Sequence, residues 1–219
     1  SINFNGTCGT ENGTLPTHAI AERYDIIIDF SKFKDGDKLY FINCLEHLNG
    51  KRPNRTINIG EILNGKYQKD KQSGFFDPCV EKFLEFRVVQ YGGIDKSVDP
   101  SIYEYGKGRK MIPIKIITED MIKSSVQRKF DFINHQTEDG LILSDEWAIE
   151  TDNNGVALQM DPRRISAAPK LNSGELWHIS NGGNSWAHNV HIHFTEGLIL
   201  LRDNKLPPIW EQFSRKDVY

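Results

Sequence analysis

The chain has 219 residues, of which 38% are hydrophobic and 26% charged, and it carries a net charge of −3. This ordinary globular composition suffices for one large core or two small ones. It excludes a nucleic-acid binder that works through a basic face, and no apolar run nears the roughly 18 residues that suggest a membrane span. The chain opens on Ser1 with no signal-peptide pattern, which fits processed or partial material.

Ser1 to Pro16 is rich in Gly, Asn and Thr, which favours turns. Asn5-Gly6-Thr7, Asn12-Gly13-Thr14 and Asn54-Arg55-Thr56 match the glycosylation acceptor pattern, a frequent accident of sequence. Tyr24 to Phe30 reads as alternating and β-rich, which predicts a strand. Lys34-Asp35-Gly36-Asp37 predicts a turn, and Lys38 to Asn43 a second strand with Leu39 and Phe41 on one face. The two strands are expected to be adjacent and antiparallel. Phe83 to Tyr91 predicts another strand. Residues 1–91 therefore read as the later part of one β-domain.

Gly92 to Lys110 holds four glycines and a proline without periodicity, and reads as a linker. A second domain is expected over 111–219. Met111 to Thr118 looks extended, and Glu119 to Lys129 is the best helix candidate. Phe130 and Phe132 alternate on one face of a strand over Lys129 to Asn134. Trp147 to Glu150 is extended, and Asp152-Asn153-Asn154-Gly155 is a turn signal. Leu176 to Ser180 and Val190 to Leu201 predict strands, the second broken at Gly197, and Asp203-Asn204 a turn. Short strands with frequent turns and almost no helix argue for an all-β sandwich.

Cys8, Cys44 and Cys79 form no C-x-x-C pair, and their odd number leaves at least one outside any intramolecular disulfide. The C-x-x-H spacing of Cys44 and His47 is weak evidence for a metal by itself. His18, His47 and His135 read as isolated surface residues, and His178 as a partly buried, hydrogen-bonded structural one. Glu196 reads as a turn carboxylate or a proton carrier, and Arg163 and Arg164 as braces of a loop.

The pattern H-x-x-H-x-H stands at His188, His191 and His193, within the stretch Trp186 to Gly197. Neutral imidazole is the commonest metal-ligating side chain and suits copper, zinc, iron and nickel. Val190, Ile192 and Phe194 alternate with His191 and His193, so the pair is expected on one face of a strand. His188 would point to the other face, its Cα roughly 10 Å from that of His191 at about 3.3 Å per residue. One strand is thus suited to serve two separate metal centres.

H-x-x-H-x-H on a strand resembles the third copper-binding motif of the multicopper oxidases, the laccase-like enzymes. Met160 to Pro169, Gly174 to Gly183, Glu196-Gly197-Leu198-Ile199-Leu200, Pro207-Pro208 and Arg215-Lys216-Asp217-Val218-Tyr219 resemble the flanks of that motif in bacterial members, and Glu22 to Phe30 resembles a strand of their middle domain. The resemblance implies cupredoxin-like Greek-key β-sandwiches: the end of a middle domain and the start of a C-terminal one, both incomplete. It implies that His188 binds type 1 copper, His191 type 2 copper and His193 a type 3 copper. It implies a copper-dependent oxidoreductase that oxidises a phenol, pigment or metal ion and reduces O2 to water, in the periplasm or outside the cell. The family's two N-terminal H-x-H motifs and its final H-C-H motif do not occur here, and none of the three cysteines is flanked by histidines. Activity therefore requires the remaining segments of the oxidase, on another chain or absent from this one. Two rivals stand beside this reading. One is a cupin-type mononuclear metalloenzyme, although Glu196 follows His193 one residue sooner than cupins require. The other is a non-catalytic cupredoxin-like module.

Overall fold

The computed structural model describes residues 13–48, 53–67, 77–97, 99, 102, 116–136, 142–151, 156–159, 161–182, 187–212 and 214–219. Among these, strands gathered into small sheets dominate and helices are few and short, so the chain is all-β. It divides into two compact units. Unit 1 comprises Ser1–Leu39, Phe86–Lys115 and Asn189–Tyr219, and unit 2 comprises Tyr40–Glu85 and Ile116–His188.

Unit 2 is built on a sheet in the order β7 (Ala157–Leu158), β6 (Ile142–Thr151), β5 (Val126–Gln136), β8 (Glu175–Asn181). β5 runs antiparallel to β6 and parallel to β8. Side chains alternate across a strand, so the register sorts the sheet into two faces. Phe130, Phe132, Trp177 and Ile179 share one face, where the rings of Phe130 and Trp177 lie 4.7 Å apart. Glu175 closes the end of that face. It accepts from Arg128 at 2.7 Å and from the Trp177 indole at 2.8 Å, and Arg128, then Trp177, hold its carboxyl below the usual range. The other face is mixed: it carries the buried Ala148 and an ion pair, with Lys129 3.6 Å from Glu150.

Elsewhere in unit 2, β2 (Leu45–Glu46) pairs antiparallel with β3 (Arg55–Thr56). Glu46 is fully buried. It accepts two bonds from the Arg55 guanidinium, at 2.9 and 3.1 Å, and one from the Tyr67 hydroxyl at 2.7 Å. Buried carboxylates require such partners, because desolvation otherwise penalises the charged form. The helix α1 (Ile59–Leu63) starts where Asn58 accepts from the Gly60 N–H.

In unit 1, Lys34 to Asp37 turns as expected. Asp37 N–H donates to Lys34 O at 3.0 Å, and Gly36 takes φ 87°, which favours glycine. The carboxyl-terminal residues form a short ladder. Val190 and Tyr219 exchange bonds of 3.0 Å, His191 bridges Val218, and Ile192 N–H donates to Asp217 O. β9 (Gly197–Leu198) pairs with β10 (Arg215–Lys216). Asp203 and Asn204 form the expected turn, both at positive φ, between Arg202 and Lys205, as in type I′ hairpins.

Several expected elements differ. Tyr24 to Phe30 is not a strand and has no ladder partner among the described residues: β1 (Lys38–Ile42) pairs with β4 (Lys82–Arg87) instead. Ile26-Ile27-Ile28 is a continuous apolar run rather than an alternation, and Asp29 accepts from the Ser31 N–H and hydroxyl, which starts a 3₁₀ turn over Phe30–Lys32. The strand expected from Phe83 to Tyr91 ends at Arg87. The helix expected over Glu119 to Lys129 stops at Ser124 as α2 (Glu119–Ser124), because Ser125 is extended and Val126 opens β5. Val190 to Leu201 is not a continuous strand either. Phe194 sits at φ 63°, which breaks the ladder before β9. The turn expected at Asp152 to Gly155, and the extended stretch over Met111 to Lys115, lie outside the described residues.

Candidate metal centre

The three motif histidines fall in different settings. His188 closes unit 2, and His191 and His193 belong to unit 1.

β5 and β6 position His188. Phe132 pairs with Ile149 and Asn134 with Trp147, so Phe132 and Trp147 are diagonal neighbours on one sheet face. The His188 imidazole packs against both: its centroid lies 4.9 Å from that of Phe132 and 4.6 Å from that of Trp147, edge-on to the indole at 61°. Its Nδ1 is buried.

The terminal ladder of unit 1 positions His191 and His193. Their rings lie 4.8 Å apart at 67°. Nε2 of His191 lies 3.3 Å from Oδ2 of Asp217, and the Arg23 guanidinium donates to that same oxygen at 2.8 Å. Arg23 first, and His191 to a lesser degree, hold the Asp217 carboxyl below its ordinary range, and Asp217 in turn raises Arg23. A carboxylate behind an imidazole fixes its ring orientation and tautomer, the usual support of a metal-binding histidine.

Behind this lies a second charged group. Lys216 bonds Glu22 and also Glu211, at 2.9 Å, and Arg202 bonds Glu211 through both guanidinium arms. Burial opposes the charge on Lys216, yet Glu22 and Glu211 outweigh it and raise its pKa. Burial likewise opposes the charge on Glu211, but Arg202 and Lys216 prevail and lower it. Burial raises the Tyr219 phenol, whose hydroxyl donates to Lys216 O at 2.6 Å.

Imidazole is a donor that copper, zinc, iron and nickel all accept. Among the described residues no three His, Cys, Asp or Glu side chains are gathered closely enough to enclose a metal.

The other singled-out residues are dispersed. His178 is exposed rather than partly buried: it lies on the face of β8 opposite to Trp177 and Ile179, with its Nε2 3.2 Å from Gln127 Oε1. His18 and His47 are exposed as expected, and the His135 side chain and Cys8 lie outside the described residues. Cys44 is half-buried and Cys79 exposed. Glu196 is exposed. Arg163 pairs with Asp161 at 3.4 Å and Arg164 bonds Gln159 O, so both brace the loop that carries them. Sequence reasoning missed Arg23, Phe132 and Trp147 as neighbours of the histidines. Arg23 meets Asp217 across 194 positions, a contact with no local signal. Phe132 was legible only as one of two residues on a strand face.

Compared with protein-family models, with curated proteins and with solved structures, the chain matches none.

Proposed function

We propose that this chain is an internal portion of a laccase-like multicopper oxidase, made of parts of two cupredoxin-like Greek-key sandwiches and acting outside the cytoplasm. The observation that carries the reading is the H-x-x-H-x-H motif with its family-like flanks, whose His191 and His193 rings stand 4.8 Å apart. In this reading His188 holds type 1 copper, His191 type 2 copper and His193 a type 3 copper. When bound, copper supplies one-electron oxidation of a phenol, pigment or metal ion and reduction of O2 to water. The chain's own residues orient the ligands: Asp217, anchored by Arg23, aligns the His191 ring, and Phe132 and Trp147 enclose His188. The remaining histidines and the type 1 cysteine come from segments outside this chain.

A metal count per chain by plasma emission tests the proposal. Copper in the purified protein, reduced in His188→Ala and in His191→Ala, is the expected result. One iron, manganese or nickel instead would favour a cupin-like mononuclear enzyme. No metal, even after the missing segments and copper are supplied, would leave a non-catalytic module.

A further inference from the structure

We propose that Ala19–Tyr24 is a strap across the terminal ladder of unit 1, with a buried anchor at Glu22 and a salt-sensitive one at Arg23. Rising ionic strength releases Arg23 while Glu22 keeps the segment tethered. The inference goes beyond the oxidase reading and does not depend on a metal.

The segment belongs to no helix or strand, and polar groups hold it in place. Glu22 N–H donates to Ala19 O at 3.1 Å, and the Glu22 carboxylate accepts from the Ala19 N–H at 2.7 Å, which closes a turn. Three side chains fasten that turn to the carboxyl-terminal residues. Asn189 Nδ2 donates to Ile20 O at 2.6 Å, Lys216 pairs with Glu22, and Arg23 pairs with Asp217 at 2.8 Å. Ile20 is 83% exposed, so its burial adds little. Ala21 sits at φ 66°, a left-handed backbone disfavoured for an L-residue, and opening relieves it.

The two charged anchors differ in exposure. Lys216 and Glu22 each keep only 10% of their side chains in solvent, and Glu211 also binds the ammonium, at 2.9 Å. The Arg23 side chain is 64% exposed. Salt screens exposed charges strongly and buried ones weakly. Arg23 shares Asp217 Oδ2 with His191, so its departure takes a positive charge away from that imidazole.

Trypsin acting on the full chain tests the strap, because its specificity pocket takes the Arg23 guanidinium only after that group has left Asp217. Rates of cleavage after Arg23 are divided by those of an unfolded synthetic peptide of the same sequence at the same salt. Raising NaCl from about 0.05 M to about 0.5 M should speed cleavage about threefold, the scale of one exposed ion pair. Asp217→Asn should cleave at the high-salt rate throughout and lose the salt response. Glu22→Gln should cleave faster still, since it removes the tether. Salt-independent cleavage of the parent chain, or an unaltered salt response in Asp217→Asn, overturns the strap. Cleavage of Glu22→Gln no faster than that of Asp217→Asn overturns the buried anchor. The salt response is read in the parent chain, so misfolding of a variant does not remove the test.

Discussion

Glu46 has no exposed surface, yet Arg55, its ion partner, keeps 46% of its side chain in solvent. The pair is therefore energetically lopsided. Arg55→Met takes two hydrogen bonds and a positive charge from a buried carboxylate and should cost about 3 kcal/mol, the order found when a buried ion pair loses one member. Glu46→Gln leaves a solvated guanidinium and keeps an acceptor for Tyr67, so it should cost about 1–2 kcal/mol, close to one altered hydrogen bond. Urea denaturation measures both, and equal costs would contradict the asymmetry. Gly197 presents another single-residue constraint, since a Cβ there would lie 2.5 Å from the Tyr219 hydroxyl. Gly197→Ala must displace that hydroxyl from Lys216 O and should cost about 1–3 kcal/mol, as overpacking does. In a Tyr219→Phe background the same change should cost less. A double-mutant cycle of thermal unfolding would detect this coupling, and strict additivity would refute it.

At the level of elements, the motif segment is a bridge, a turn and a two-residue strand rather than one strand. Phe194 marks the turn: its side chain is fully exposed and its φ of 63° lies in the left-handed region. An L-residue there carries about 1–2 kcal/mol of strain. Phe194→Gly should therefore raise or preserve stability in chemical denaturation, whereas most exposed helix or strand positions lose stability on the same change. A loss above about 1 kcal/mol would mean that the ring, 6.1 Å from His193, contributes more than the strain it carries. The helix α2 shows the opposite balance. Thr118 accepts from Met121 N–H at 3.3 Å and two acidic residues occupy the first turn, so its start is well specified. Its end is set by β5, whose ladder with β6 and β8 outcompetes further helical turns.

For the whole molecule, the charged group of unit 1 ties distant parts of the chain together, since Glu22 and Lys216 are 194 positions apart. Its pH dependence follows from Glu211, whose carboxyl is held below its ordinary value of 4.5. Between the folded and unfolded values the unfolded chain binds more protons, so stability rises with pH there. The contribution is complete above about pH 4.5, the ordinary glutamate value, and disappears as pH falls through the lower folded value. Glu211→Gln should lower stability at neutral pH and flatten the acid slope of thermal unfolding. An unchanged slope would show that other carboxylates govern acid unfolding. The motif is also divided at this scale, with His188 in one unit and His191 and His193 in the other.

The amino-acid sequence by itself determined features that depend on a few adjacent residues. The turns at Lys34–Asp37 and Asp203-Asn204 follow from residues that tolerate positive φ, and the strands around Phe130 and Trp177 follow from alternation. The histidine motif was legible for the same reason, as residue types at fixed spacing. Only the tertiary structure decided which strands pair. Tyr24 to Phe30 has strand-like composition but no ladder partner among the described residues, and β5 takes β8 in parallel although β6 and β7 intervene in sequence. Nor did local pattern reveal that Arg23 anchors Asp217 behind His191, or that Trp147 packs against His188. Backbone preference is encoded over a few residues, whereas register and cross-chain contact depend on the far side of the chain being folded against it.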